Sequence, residues 1–195
     1  MAPLPQLPPL TLASASPRRA ALLRELGFAF EILPADVPEI HHEQFTAWEL
    51  CQVNAYRKAR CVAKRMPDAL VLGADTLVAL DTVLFGKPAT LEEAHQMLEQ
   101  LQGRTHQVVT GICLLHLRAH RQVVFAETTD VSFRSLSGAA IRRYLRQVNP
   151  LDKAGAYAIQ EKGDLIVEKI AGSYTNVMGL PVERLRAELE AWAAA

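Results

Sequence analysis

Between Leu10 and Gly27 the chain reads LTLASASPRRAALLRELG, an apolar run that ends in two serines and two arginines and then turns leucine-rich. Ser16 reads as an N-cap and Pro17 as the first helical position, with Leu22, Leu23 and Leu26 as the buried stripe. Arg18 and Arg19 then fall in the first turn, where a cation opposes the helix dipole at a cost of about 0.3–1 kcal/mol. A helix N-terminus offering free N–H groups, the hydroxyls of Ser14 and Ser16 and two guanidinium forks suits a phosphate group. A capped helix with solvated arginines fits the stretch equally well.

Other stretches carry chemistry of the same kind. In VLGADTLVAL, Asp75 follows an apolar strand beside glycine and alanine, where backbone can approach closely. Such a carboxylate suits a divalent cation or a water that must lose a proton, and a plain turn aspartate is the alternative. Lys87 lies in FGKP, as a substrate contact or an ordinary hairpin lysine. Lys58, in NAYRKAR, shares a helix face with Asn54 and Cys51, either snorkelling to water or pointing into a cleft. Gln160 ends the apolar AYAI run; its amide can donate and accept, reading a nucleobase edge or capping a loop. The six histidines form no zinc-type spacing, and His41-His42 reads as a solvated loop pair.

These residues need a scaffold that brings them together. With 195 residues, half of them hydrophobic, the chain can bury a substantial core. Lys plus Arg and Asp plus Glu balance at 21 each, so no global field recruits nucleic acid or an anionic membrane, and an anion site must be built locally. Cys51, Cys61 and Cys113 form no CxxC pair and read as reduced thiols of a cytoplasmic protein. No apolar run reaches the roughly 20 residues of a membrane-spanning helix. MAPLPQLPP reads as a flexible Pro-rich tail over residues 1–9, followed by one domain over 10–195.

Short β-type runs alternate with amphipathic helices, which predicts an α/β (mixed α+β) sheet protein. Thr46 with Glu49 and Thr90 with Glu93 mark two helix starts as capping boxes, the helices running toward Arg65 and Gly103. A third helix starts near Ser137 and stops before Asn149-Pro150, and a last one starts near Pro181. ALVLGADTLVAL and VLFGKP read as strands joined by a turn at Asp81-Thr82; QVVTGICLLHL, VVFAETTDVSF and DLIVEKI supply the rest of the sheet.

Taken as an ordered set, SASPRR, GADT, GKP, GRTHQVVTG, DKAGAYAIQ and GSYTNVMGLP closely resemble the Maf family of nucleoside triphosphate pyrophosphatases, and the DKAGAYAIQ block resembles its dTTP/UTP branch. The resemblance implies a curved mixed sheet in two lobes around a nucleotide cleft, similar to the inosine triphosphate pyrophosphatases. It implies a cytoplasmic homodimer that needs a divalent cation, Mg²⁺ or alternatively Mn²⁺ or Co²⁺. Carried onto this chain, it makes Asp75 the general base, with Glu39 near the metal. Ser14, Arg18, Arg19, Lys58 and Lys87 would bind the triphosphate, and Arg18, Thr76 and Gln160 would govern substrate choice. Many relatives of this branch read GAYGIQG, so Ala158 and Glu161 stand here in place of glycines. The alternatives are the 7-methyl-GTP pyrophosphatase branch of the family, a phosphatase removing the terminal phosphate, and a nucleotide-binding cell-division regulator without catalysis.

Overall fold

The computed structural model describes residues 7–42 and 44–194, so the expected Pro-rich tail lies, over residues 1–6, outside the described residues. The elements are β1 (Leu10–Leu12), α1 (Pro17–Glu25), β2 (Phe30–Ile32), α2 (Ala47–Ala63), β3 (Leu70–Leu80), β4 (Val83–Phe85), α3 (Leu91–Leu101), β5 (Thr105–His116), β6 (Arg121–Phe133), α4 (Gly138–Leu145), β7 (Val167–Ala171), α5 (Tyr174–Val177) and α6 (Val182–Ala194).

Helix starts follow from capping chemistry. Thr46 Oγ1 accepts the Glu49 N–H, and the Glu49 carboxylate accepts the Thr46 N–H at 2.8 Å, closing a capping box on α2. Thr90 accepts the Glu93 N–H at 3.1 Å, but the Glu93 carboxylate reaches the N–H of Ala89, one residue earlier. Ser137 caps α4 through the Ala140 N–H. One strand boundary also needed revision. The run DLIVEKI is a strand only from Val167, because Gly163–Leu165 forms a 3₁₀ turn entered through Lys162 at φ 58°. The short, largely exposed edge strand β2 and the four-residue α5 carry too few residues for a periodicity to declare them.

The strands form one seven-stranded sheet in the order β2-β1-β3-β5-β6-β7, with β4 added on β3. β1 runs parallel to both β2 and β3, whereas β3/β4 and β6/β7 are antiparallel, so the sheet is mixed, as expected. The chain divides into two compact units. The first holds the chain up to Asp75, Thr110–Glu127 and the chain from Gly179 onward; the second holds Thr76–Val109 and Thr128–Met178. Each has its own core: Ala55, Ala59, Val62, Val71 and Cys113 in the first, and Val78, Leu98, Phe133, Tyr144 and Tyr157 in the second. Among the described residues no helix is long and apolar enough to cross a membrane.

Candidate active site

The site begins with two glycines. Successive strand residues alternate faces, so Gly73 and Asp75 of β3 point the same way, toward α2. A Cβ on Gly73 would stand 2.2 Å from the Ala55 carbonyl oxygen and 2.8 Å from the Ala59 nitrogen. On β5, a Cβ on Gly111 would stand 2.2 Å from the Cys51 carbonyl carbon. Small residues at 51, 55 and 59, one helical turn apart, complete the close approach, so α2 lies backbone-to-backbone on the sheet. The close approach expected around Asp75 is therefore made by this helix.

Asn54 and Lys58, four residues apart on α2, reach Asp75 from that position. Asp75 is 3 % exposed. Lys58 Nζ donates to Asp75 Oδ1 at 2.6 Å and to Glu39 Oε1 at 2.5 Å. Asn54 Nδ2 donates to Asp75 Oδ2 at 3.3 Å and to the Ile40 carbonyl at 3.1 Å, while Asn54 Oδ1 accepts the Ile40 N–H at 2.8 Å. The amide thus pairs with both backbone groups of Ile40 and fixes the loop that carries Glu39. Burial raises the Asp75 carboxyl above the ordinary carboxylate range, with Lys58 pulling it down and Glu39 pushing it up.

The start of α1 faces the same group. Ser16 caps the helix by accepting the Arg19 N–H at 3.4 Å, and Ser14 Oγ accepts the Ser16 N–H at 3.2 Å. Arg19 Nη1 donates to Ser14 Oγ at 3.1 Å and its Nε to the Gly179 carbonyl at 2.8 Å. The Arg19 guanidinium is lowered from its usual value by burial, opposed by the charge of Asp75 and reinforced by Arg18. Ser14, Arg18, Arg19, Glu39, Lys58 and Asp75 therefore form one electrostatic neighbourhood in the first unit.

The other expected residues lie in the second unit. Thr76 follows Asp75 with its side chain on the opposite face of β3. Lys87 and Gln160 are exposed, and their loops meet: the Gly155 N–H donates to the Gly86 carbonyl at 3.0 Å. Gly155 adopts φ 68°, and a Cβ there would stand 2.9 Å from Val78 Cγ2, so this position requires glycine. Gln160 Nε2 donates to Glu161 Oε1 at 3.3 Å, and Glu161 lies 3.5 Å from the Lys153 ammonium, itself 4 % exposed. Among the described residues the non-glycine positive φ angles fall at Asp81, His120, Ala156 and Lys162, so Ala158 and Glu161 stand in place of glycines at positions that need none.

The chain matches the family described as Maf-like protein over residues 9–192. It belongs to the Maf-like family. It is 47 % identical over 184 residues to the dTTP/UTP pyrophosphatase of Exiguobacterium sibiricum, covering 94 % of this chain and 92 % of the relative. It is 46 % identical to the protein of the same name from Pelotomaculum thermopropionicum and 44 % identical to that from Alkaliphilus oremlandii, each match covering 90 % of this chain and 92 % of the relative. Its fold is similar to that of a HAM1 protein from Coxiella burnetii, with a TM-score of 0.53 and 19 % identity, covering 94 % of this chain and 98 % of that one.

In this Maf-like chain the carboxylates of Glu39 and Asp75 converge on one ammonium, a stand-in cation, and both present hard oxygen ligands. That donor set fits Mg²⁺ or Mn²⁺, which take one or two carboxylates and complete their shell with water and substrate phosphate. No group of three or more His, Cys, Asp or Glu residues able to hold a metal occurs among the described residues, so the protein alone offers a partial shell. Asn54, read from the sequence only as a neighbour of Lys58 on one helix face, contacts both Asp75 and Ile40. Its signal was present, since VNAYRKA puts an amide one turn before Lys58.

Proposed function

We infer that this Maf-like protein is a nucleoside triphosphate pyrophosphatase that hydrolyses dTTP and UTP to the monophosphate and pyrophosphate. The observation that carries the reading is the buried Asp75 carboxylate, held between Lys58 and Asn54 beside Glu39, in a chain 44–47 % identical to enzymes of that name. A triphosphate at neutral pH carries nearly four negative charges that repel an attacking oxygen. Arg18 and Arg19 with Ser14 at the start of α1, and Lys58, supply cations and donors for those charges. Lys87 does the same from its own loop.

Asp75 takes the proton from water as the water oxygen bonds to the α-phosphorus, and the bond from that phosphorus to the bridging oxygen breaks, releasing pyrophosphate. Asp75 and Glu39 would hold a divalent cation, which would supply charge neutralisation on the phosphates. Gln160 presents an acceptor for the N3–H of uracil or thymine and a donor for a carbonyl beside it, and the same reading assigns Arg18 and Thr76 to substrate choice. Glu161 occupies one Nε2 hydrogen of Gln160, which leaves the other for the base carbonyl. The same reading makes the protein a homodimer acting in the cytoplasm.

The test is pyrophosphate release across a panel of nucleoside triphosphates with Mg²⁺ or Mn²⁺. Turnover of dTTP and UTP above all others is expected. Preference for 7-methyl-GTP moves the chain to the other branch, orthophosphate as the first product makes it a phosphatase, and binding without any product leaves a nucleotide-sensing role.

A further inference from the structure

The sharpest feature of the site is where Lys58 sits. Its ammonium lies 2.5 Å from Glu39 Oε1 and 2.6 Å from Asp75 Oδ1, closer than most charge-assisted N–H···O contacts and at the point where both carboxylates converge. A divalent ion held by Glu39 and Asp75 would draw on the same two carboxylates. The two cations compete for that space, because they are drawn to the same carboxylates and repel each other. Arg19 adds a further positive charge that acts on Asp75. The carboxylate pair thus has positive counter-charges of its own without metal.

We propose that Lys58 is a resident counter-cation, holding the place between Glu39 and Asp75 that a divalent ion takes only when a triphosphate draws the ammonium away. The proposal rests on the reading of Glu39 and Asp75 as the metal-holding carboxylates. Lysine is suited to the exchange: its stem is flexible, its head is a point charge with three donors, and its side chain here keeps 15 % exposure. The phosphates give the ammonium a second partner, so it is never left unpaired. Nucleotide and metal then bind synergistically, each strengthening the other by the same factor. A carboxylate pair guarded in this way does not draw free divalent ions from solution in the absence of substrate.

Calorimetric titration of Mn²⁺ alone into the nucleotide-free protein tests the proposal. Lys58→Gln is expected to bind one Mn²⁺ about tenfold or more tightly than wild type, while Lys58→Arg stays weak because the cation is restored. Adding Asp75→Asn to Lys58→Gln should abolish the gain. Equal or weaker Mn²⁺ binding by Lys58→Gln overturns the proposal. Should that variant fail to fold, wild type decides: Mn²⁺ alone should leave its melting temperature unchanged, and Mn²⁺ with an α,β-methylene analogue of dTTP should raise it beyond the analogue alone. Stabilisation by Mn²⁺ alone that Asp75→Asn removes would overturn the role of Lys58 while leaving the metal reading intact. Absence of Mn²⁺ binding in every state would overturn both.

Discussion

Each unit of the molecule buries a titratable side chain, and the two are treated in opposite ways. Asp75 of the first unit is met by an ammonium, an amide and the field of a guanidinium, so its charge is surrounded by groups that respond to charge. His106 of the second unit, 1 % exposed, meets the Tyr157 hydroxyl at 2.9 Å and the ring of Phe133 edge-on at 4.7 Å between centroids. Its Nδ1 has no hydrogen-bond partner among the described residues. Burial accordingly drives its pKa down to about 4, keeping the ring neutral. Asp75 is surrounded by groups that answer to its charge, whereas the aromatic edges and hydroxyl around His106 favour its neutral form.

Changing the charge at 75 should have the largest effect. Asp75→Asn is expected to lower dTTP turnover by about 10³-fold, within the usual range for loss of a proton acceptor, with little change in melting temperature. Steady-state rates on purified protein check this, and wild-type turnover at saturating Mg²⁺ would remove the distinction between the two buried groups. His106 should matter for stability alone. Its folded pKa lies below the unfolded one, so as pH falls below about 6.5 the unfolded chain takes up the proton first, and the stabilisation is lost progressively toward pH 4. The loss amounts to roughly 3 kcal/mol for a shift of this size. His106→Leu should be weaker at pH 7 by about 1–3 kcal/mol, from the stranded Tyr157 hydroxyl, yet lack that pH dependence in urea titrations at pH 7, 5.5 and 4.5.

Smaller effects refine the comparison. Asn54→Ala leaves the Asp75–Lys58 pair in place but frees the Ile40 backbone, so turnover should fall about tenfold, while stability falls by about 1–2 kcal/mol. An unchanged rate with lowered stability would make Asn54 a fold residue like His106. Glu161→Gly should do least: the ratio of dTTP to other triphosphate rates should shift by roughly threefold, as expected for one exposed hydrogen bond, with the dTTP rate itself nearly constant.

Caps and apolar runs are local properties, and at Thr46, Ser137 and along β3, buried over almost its whole length, the sequence declares them in full. The site was legible only as a set of blocks. SASPRR, NAYRKAR and GADT each allowed a plain structural reading, and the contacts that separate the readings join residues 5 to 160 positions apart. Gly73 was legible as a point of close approach, but which backbone approaches depends on the packing of α2, a tertiary outcome. The helix face shared by Asn54 and Lys58 was legible, but the partner of Asn54 at Ile40 was not, because it is backbone, which bears no residue type.

The backbone-to-backbone seat of α2 on Gly73 and Gly111 has a consequence for adaptation. With less than a methyl group of clearance, the helix offers no cushion of side chains that could be repacked to tune its height or tilt. Positions 51, 55, 59, 73 and 111 should therefore tolerate almost no variation in a saturation library. Variation has room instead at Gln160, Glu161 and Lys162, which lie at the surface just beyond the buried run Ala156–Ile159, and Lys162 already holds a left-handed backbone angle without glycine. The height of the helix over the sheet is fixed in stock size, and the exposed end of the loop is the part free to drift.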